Sequence, residues 1–401
     1  MTNLVEELKK TSLSSFSPTT PLDQRWNGGC PSYFLLVDDK EQSLQQLGEL
    51  IALIPITWDS RLTLLICSNI FSQMSIPART YTALKINENG HFKFCFMAIG
   101  ASIEGWRCCR PTISVDGMFL KSKFGDTLLS ASILDGAFAI VDSKNDVSWK
   151  WFFEHIQTSL EDREYLVIVS YRHLSIPNGV LSVFNNVEYC VCIQHILRNL
   201  KKLFKDPLID QLYFSCVKSY TVDDFEFNMR FMKSISPNIR SYLINVGFEK
   251  WSRAYSGRRM YEMMTINPSE CVNSVLKDNR NLPVASLLDA IRGLLQKWFH
   301  DRRKASLSMT TILTPWAKNI LCNQHEQSRS FMVHPIDNVE YSVMDGDIQF
   351  LVKLNFGSCS CRVWDFEDIP CSHALAILCY SENEDTYELI MDIDTEDITI
   401  V

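Results

Sequence analysis

Four side chains that bind soft metals fall within a 15-residue stretch late in the chain: Cys359, Cys361, Cys371 and His373. They form two close pairs, Cys-x-Cys and Cys-x-His, with nine residues between the pairs. Zinc takes four nitrogen or sulfur ligands in a tetrahedron, and a closed set of four leaves no position for a substrate. The spacing therefore predicts a structural zinc site, and the alternative is four unrelated core residues. Alternating residues before the cluster predict a hairpin, and residues 374–378 predict a helix with His373 on its first turn.

The sequence shows no segment that would direct it to secretion or into a membrane. The first ten residues are polar and no apolar run follows them, unlike a signal peptide. The most apolar segment, 47–71, contains Glu49, Asp59 and Arg61, so it does not predict a membrane span. We expect an intracellular protein, cytoplasmic or nuclear, with no membrane partner. Its 14 cysteines are then expected to be mostly reduced core residues or metal ligands.

Charge is unevenly distributed along the 401 residues. The formal net charge of -8 argues against a uniformly basic nucleic-acid-binding protein. Residues 191–330 nevertheless hold 21 Lys and Arg against 12 Asp and Glu, whereas residues 381–401 hold eight acidic residues and no basic one. The middle of the chain is therefore suited to face a polyanion, and the acidic tail is not.

Hydrophobic residues make up 46% of the chain, enough for a packed core, and their spacing predicts an α/β fold. A strand ending in a turn at Asp116-Gly117 is followed by a hairpin at Asp135-Gly136 and then by alternating helices and strands. Strands are predicted at 92–98, 111–115, 127–134, 137–141, 165–169 and 187–192, and helices at 145–160, after Ile176-Pro177, and at 193–204. The aromatic residues Trp149, Trp151, Phe152 and Phe153 are expected to pack on the sheet. A β-meander followed by α/β units predicts a mixed sheet covered by helices.

The remaining pattern sets the predicted domain limits. Helical periodicity marks 225–232, 239–246, 268–277 and 284–304, and strands are predicted near 331–333, 341–343 and 349–354. We divide the chain into an N-terminal leader and small α/β region of unknown type over 1–74, a core with a helical insertion over 75–310, a zinc-binding region over 311–380 and an acidic tail over 381–401.

Two acidic residues are candidate ligands for divalent metals. Asp116 ends a predicted strand, and Glu270 lies near the start of a later helix. Metal-dependent phosphodiester transfer needs several converging carboxylates, because Mg²⁺ prefers oxygen ligands. Taken alone, the two residues are better explained as a solvated turn acid and an acid at a helix N-terminus.

The motifs resemble two known families. The run Cys359-Ser-Cys-Arg-Val-Trp-Asp-Phe-Glu-Asp-Ile-Pro-Cys-Ser-His-Ala-Leu resembles the SWIM zinc finger, whose pattern is C-x-C-x(n)-C-x-H. The segments 114–125, 139–153, Cys192-Ile-Gln-His195 and 265–277 resemble the core of plant Mutator-like element (MULE) transposases, which the far-red-impaired-response transcription factors share. The resemblance covers roughly 75–380. It implies an RNase H-like sheet with a helical insertion, a C-terminal SWIM finger and an Asp, Asp, Glu triad that binds Mg²⁺ or Mn²⁺.

The resemblance places the first Asp of that triad at Asp116 and the Glu at Glu270. The family has its second Asp in a Ser-Asp-Arg-His context, where this chain has Ser170, Tyr171, Arg172 and His173. A phenol with a pKa of about 10 stays protonated and is a poor Mg²⁺ ligand. The family also has a longer connection at Asp135-Gly136. We therefore interpret Asp116 and Glu270 as the remnant of an inactive triad.

Weaker signals accompany these motifs. Cys192 and His195 align with a Cys-x-x-His element of the family, and we treat them as a weak metal or DNA-contacting element, with Cys190 and His173 as companions. The alternative is a strand-end cysteine and a helix-start histidine, because two ligands do not close a zinc site. Candidate DNA contacts, which solvated helix faces would also explain, are Arg198, Lys201, Lys202, Lys205, Arg253, Arg258, Arg259 with Tyr255 and Tyr261, and Arg302, Arg303 and Lys304.

The sequence predicts a transposase-derived, nuclear protein that binds structural Zn²⁺ and DNA of unknown target and has lost catalysis. Protein partners would bind through the SWIM finger. One alternative is an active MULE transposase that uses Mg²⁺ or Mn²⁺, with a substitute carboxylate such as Asp142 or Glu188. A second alternative is a protein that acts only through protein contacts.

Overall fold

The computed structural model describes residues 80–89, 92–121, 125–132, 136–257, 268–308 and 315–380. The side chains of Cys108, Pro268, Glu270, Ala285, Pro315 and Trp316 are not among the parts described. The described residues form two compact units, the first over 80–308 and the second over 315–380. The predicted leader and small α/β region over 1–74 and the acidic tail over 381–401 lie outside the described residues.

A seven-stranded sheet forms the centre of the first unit. Its strands are β1 (Tyr81–Ile86), β2 (Phe92–Ala98), β3 (Thr112–Phe119), β4 (Thr127–Ser132), β5 (Ala137–Val141), β6 (Val167–Ser170) and β7 (Glu188–Val191). Their spatial order is β1-β2-β5-β4-β3-β6-β7. Neighbours from β1 to β3 pair antiparallel, whereas β3, β6 and β7 run parallel. The predicted mixed sheet is confirmed.

Helices cover this sheet. They are α1 (Gly100–Gly105), α2 (Asp146–Ser159), α3 (Ser175–Val183), α4 (Ile193–Phe204), α5 (Ile209–Lys218), α6 (Val222–Ile235), α7 (Pro237–Val246), α8 (Pro268–Val275) and α9 (Val284–Leu307). Asn145 begins α2, because its side chain accepts a hydrogen bond of 2.9 Å from the Ser148 backbone N–H. The helices predicted at 225–232 and 239–246 correspond to α6 and α7.

Successive residues of a strand pack into different hydrophobic cores, which lie on opposite faces of the sheet. In β2, Phe96 packs with Trp149 and the other aromatic residues of α2, whereas Met97 packs with Leu287 of α9. In β6, Val169 packs with the core formed by α4 to α7. Because successive strand residues point to opposite faces, apolar residues at both parities require helices on both faces. The aromatic residues of α2 are buried, as predicted.

The hairpin between β4 and β5 brings the chain close to α1. A Cβ atom on Gly136 would lie 2.0 Å from the side chain of Ser102, so only glycine permits this approach. The Gly136 carbonyl accepts a 3.0 Å hydrogen bond from the Ile99 N–H. Asp135, the other residue of the predicted turn, lies outside the described residues.

The second unit contains a four-stranded antiparallel sheet of order β11-β10-β9-β8. Its elements are α10 (Pro315–Ser328), β8 (Met332–Pro335), β9 (Glu340–Asp345), β10 (Ile348–Lys353), β11 (Ser358–Cys359), α11 (Val363–Glu367) and α12 (Ser372–Tyr380). Val343, Val352 and Leu375 share its core with the cysteines of the sequence cluster. The predicted hairpin and the helix with His373 on its first turn are both present.

Some local predictions were wrong. The turn predicted at Asp116-Gly117 is strand, because β4 pairs with β3 as far as Phe119. The strand β1 and the helices α1, α5 and α10 were not predicted individually. β1 was missed because its residues are half-buried or exposed and carry little apolar periodicity.

Among the described helices, none is both long enough and apolar enough to cross a membrane.

Candidate metal centre and remnant carboxylate site

One short turn and one helix start bring the four soft ligands together. Cys359 ends β11, and a 2.8 Å hydrogen bond from the Arg362 N–H to the Cys359 carbonyl closes the turn that contains Cys361. Arg362 makes this turn in the left-handed conformation, with φ of 64°. Cys371 directly precedes α12, and His373 lies in the first turn of that helix.

The four ligand atoms lie within 4.8 Å of one another. The Cys359 Sγ and the His373 Nδ1 are 3.7 Å apart. In a tetrahedral zinc site, metal–ligand distances of about 2.0–2.3 Å put ligand atoms about 3.6–3.8 Å apart. Among the described residues this is the only cluster of three or more metal-binding side chains. The donor set, a buried Cys₃His group, fits a zinc ion with no open coordination position.

The three thiols interact with one another through side-chain hydrogen bonds. Hydrogen bonds from the Cys359 and Cys371 thiols hold the pKa of Cys361 well below its usual range. The same contact with Cys361 raises the pKa of Cys359. A divalent cation would stabilise all three as thiolates, which is the form that binds zinc.

The ring of His373 is fixed on both faces. It stacks on Phe350 with a centroid distance of 4.0 Å and on Phe331 at 5.1 Å. Its Nε2 lies 4.0 Å from a carboxylate oxygen of Asp345 and has no hydrogen-bond partner among the described atoms. Ligating histidines commonly orient their second nitrogen toward a carboxylate. The arrangement leaves Nδ1 as the nitrogen that faces the thiols.

A second set of predicted site residues lies at one edge of the large sheet. Val115 of β3 pairs with Ser170 of β6, and Ser170 pairs with Val191 of β7, all in parallel register. The next residue on each strand is therefore Asp116, Tyr171 or Cys192. These three residues follow one another along the same row of the sheet.

The carboxylate of Asp116 has a donor at each oxygen. Its Oδ1 accepts a 2.8 Å hydrogen bond from the Gly117 N–H, and its Oδ2 accepts one of 2.8 Å from the Asn273 side-chain amide. Asn273 lies on α8, which is also fixed to β3 by a 2.6 Å bond from the Ser269 hydroxyl to the Ser114 carbonyl. Glu270 lies in the first turn of α8. The backbone thus brings the helix of Glu270 against the strand of Asp116.

Lys144 reaches into the same place from the turn before α2. Its Nζ donates a hydrogen bond to the Gly117 carbonyl. The ammonium also lies 4.4 Å from the ring centroid of Phe119 and 5.2 Å from that of Tyr171. Burial lowers the pKa of Lys144, the negative charge of Asp116 raises it, and the nearby Arg280 lowers it.

Tyr171 presents a neutral ring to this site. Its hydroxyl is buried and has no hydrogen-bond partner in the described part of the chain. Burial, and then the charge of Asp116, raise the pKa of Tyr171 above its ordinary value. The residue at the position of the second Asp therefore stays protonated at neutral pH and adds no negative charge.

The two residues considered as substitute carboxylates have partners elsewhere. Asp142 follows the end of β5, is exposed, and accepts a 3.0 Å hydrogen bond from the Ser148 hydroxyl. Glu188 pairs with Val167 at the opposite end of β6 from Tyr171, and it accepts a 2.7 Å bond from the Ser256 hydroxyl. Neither lies in the row of Asp116.

The Cys-x-x-His element is part of a packed region. Cys192 is fully buried in the core of α4 to α7, and its N–H donates a 2.8 Å bond to the Ser170 carbonyl. The ring of His195 lies 5.8 Å from that of Tyr171. Within the described residues, Cys192, His195, Cys190 and His173 do not form a metal-ligating cluster.

The basic residues differ in environment. Arg198, Lys201, Lys202 and Lys205 are exposed on or just after α4, and Lys201 pairs with Asp210 at 2.7 Å. Arg253 is buried and donates a 2.6 Å bond to the Tyr220 hydroxyl, so it is not a surface contact. Arg258, Arg259 and Tyr261 lie outside the described residues.

Two family profiles match the chain. Residues 112–199 match the MULE transposase domain, and residues 343–379 match the SWIM zinc finger. The chain therefore carries a segment similar to a MULE transposase domain, followed by a segment similar to a SWIM zinc finger. The resemblance predicted from the motifs is thereby confirmed. The MULE match contains Asp116 and Tyr171, and the SWIM match contains all four ligands of the Cys₃His cluster.

The chain is also similar to Protein FAR1-RELATED SEQUENCE 4 of Arabidopsis thaliana, with 20% identity over 348 residues. The alignment covers 74% of this chain and 47% of the relative. The chain thus spans about half the length of the curated relative that it matches. Together with the two profiles, this similarity makes the chain MULE- and FAR1-like.

Sequence reasoning missed Lys144 and Asn273. Lys144 contacts Gly117, which lies 27 residues earlier in the chain. Asn273 contacts Asp116, which lies 157 residues earlier. No spacing rule links such positions. The helical periodicity of α8 does place Ser269 and Asn273 on one face, and this was the one signal available.

Proposed function

We propose that this chain is a transposase-derived, zinc-binding and DNA-binding nuclear protein that has lost strand transfer. The observation that carries the proposal is the neutral Tyr171 beside Asp116, in the row where the resemblance expects a second carboxylate. Losing one of three carboxylates removes a metal ligand and part of the charge that attracts Mg²⁺ or Mn²⁺.

The proposal includes an RNase H-like core. The strands β5-β4-β3-β6-β7 form an antiparallel meander continued by two parallel strands. Along the chain, α2 connects β5 to β6, and α3 connects β6 to β7. This topology supports the assignment, and the position of Asp116 on the central strand β3 agrees with it.

A structural zinc ion is part of the proposal. Cys359, Cys361, Cys371 and His373 would hold Zn²⁺, and the ion would supply cross-linking between β11 and the start of α12. The chain's own residues orient the site, because Phe350 and Asp345 fix the imidazole of His373. The finger would also offer a surface for protein partners.

DNA binding is proposed through the basic side of α4. Arg198, Lys202 and Lys205 are exposed there, while the apolar side of α4 is buried in the unit core. Lysine and arginine on one helix side release counterions when they contact phosphates, so binding weakens as salt rises. This arrangement suggests sequence-independent backbone contact, because nothing identifies a base-reading element.

Filter retention of random duplex DNA at two salt concentrations tests DNA binding. We expect retention that falls steeply with salt, and Lys202→Gln should lower the slope of log affinity against log salt by about 1. Lys201→Gln is the matched control, because Lys201 already pairs with Asp210 and its loss should change the slope less. Absence of salt-dependent retention would contradict DNA binding and favour action through protein contacts alone.

A further inference from the structure

The remnant carboxylate already has a cation beside it. The Nζ of Lys144 donates a hydrogen bond to the carbonyl of Gly117, the residue that follows Asp116, and lies 4.4 Å from the ring centroid of Phe119 and 5.2 Å from that of Tyr171. The negative charge of Asp116 raises the pKa of Lys144, which agrees with an ammonium near this carboxylate.

We propose that the Lys144 ammonium is the built-in counter-cation of Asp116, so that a carboxylate restored at position 171 does not by itself restore divalent-metal binding. The inference rests on the proposed loss of catalysis and deepens it. It names a second residue, besides Tyr171, that keeps the site closed to metal.

The chain is shaped to admit this lysine. A Cβ atom on Gly117 would lie 3.1 Å from the Cε of Lys144 and 3.1 Å from the Cδ2 of Leu129. Such distances are shorter than ordinary van der Waals contacts. The absence of a side chain at Gly117 therefore leaves space for the aliphatic part of the Lys144 side chain. The ammonium then meets a carbonyl oxygen and two aromatic faces, both of which favour a cation.

The charges near Asp116 oppose a further cation. The positive charge of Arg280 lowers the pKa of Lys144, so a second cation lies near the ammonium. A divalent ion placed at Asp116 would be repelled by the positive charge of the Lys144 ammonium. A carboxylate introduced at position 171 would lie beside the same ammonium, which now lies against the Tyr171 ring, and would pair with it rather than with a metal.

Manganese binding to the zinc-loaded full chain tests the inference, with free Mn²⁺ measured by its electron paramagnetic resonance signal. We expect Tyr171→Asp together with Lys144→Gln to bind Mn²⁺ at least about tenfold more tightly than Tyr171→Asp alone. Adding Asp116→Asn to the double variant should remove the gain, which assigns the ion to this site. Equal Mn²⁺ affinity of the single and double variants would overturn the inference.

Charge and folding are controlled separately. The double variant Tyr171→Asp, Lys144→Arg keeps the positive charge at position 144, so it should bind Mn²⁺ as weakly as Tyr171→Asp alone. Binding as tight as that of the double variant Tyr171→Asp, Lys144→Gln would overturn the inference. If the Tyr171 variants do not fold, Lys144→Gln and Asp116→Asn are compared by urea midpoint with their double variant in the Tyr171 background. A charge pair is supported if the double variant loses less stability than the sum of the losses of the two single variants. Strictly additive losses of stability contradict it.

The two proposals fail in different ways. Metal-dependent DNA cleavage by the unaltered chain would refute the loss of catalysis. The ratio of Mn²⁺ affinities between the variants that carry Tyr171→Asp tests Lys144 alone, whatever the unaltered chain does.

Discussion

Tyr171 lies beside Asp116 on adjacent parallel strands, one residue beyond the paired Val115 and Ser170. The strand pairing places Tyr171 where the resemblance expects the second Asp, so among the described residues that position beside Asp116 has no carboxylate. The phenol is kept neutral by burial and by the charge of Asp116, which raise its pKa. The site thus holds a single described carboxylate, Asp116, with a donor at each oxygen.

The first prediction concerns the zinc cluster. Cys371→Ser removes a buried thiolate ligand, so the chain should lose its one bound zinc, and the region of the SWIM finger should unfold. Metal content by atomic emission and near-ultraviolet circular dichroism measure the two effects. Cys379→Ser is the matched control, because Cys379 lies exposed on α12, outside the cluster. Purified unaltered protein that contains no zinc would contradict the assignment.

The second prediction concerns the carboxylate near His373. Asp345→Asn should speed zinc loss to a chelator by up to about tenfold, because the amide orients and polarises the imidazole less well than a carboxylate. The rate is followed with a chromogenic chelator. Asp347→Asn, in the exposed turn between β9 and β10, is the control. Equal rates for the two variants would show that Asp345 has no role in holding the ligand.

The third prediction separates a structural from a functional Tyr171. Tyr171→Phe removes a buried hydroxyl that has no partner among the described atoms, so the free energy of unfolding should rise by about 1 kcal/mol or stay unchanged. Tyr189→Phe is the contrast, because its hydroxyl is 2.8 Å from that of Ser170 and its loss should cost about 1 kcal/mol. Urea unfolding followed by tryptophan fluorescence measures both. A clear loss of stability in Tyr171→Phe would reveal a partner for the hydroxyl.

Much of this architecture follows from the sequence, for identifiable reasons. The SWIM ligands could be found because all four lie within 15 residues and their spacing is set by one turn and one helix start. The strands β2 and β5 and the helix α4 match their predicted bounds, because apolar runs and periodicity are local signals.

The environment of Asp116 could not be predicted in this way. The turn expected at Asp116-Gly117 is strand because a partner strand, β4, extends the pairing. The donors on Asp116 and its neighbour come from α8 and from the turn before α2, and their arrival depends on the packing of the whole unit. Tertiary contacts of this kind leave no pattern in a single sequence.

The most direct test of the account is a nicking assay on supercoiled and terminal-repeat DNA with Mg²⁺ or Mn²⁺, using the zinc-loaded full chain. The account predicts that the unaltered protein retains DNA but leaves every strand intact at all metal concentrations. Metal-dependent nicking by the unaltered protein, abolished by Asp116→Asn, would contradict it.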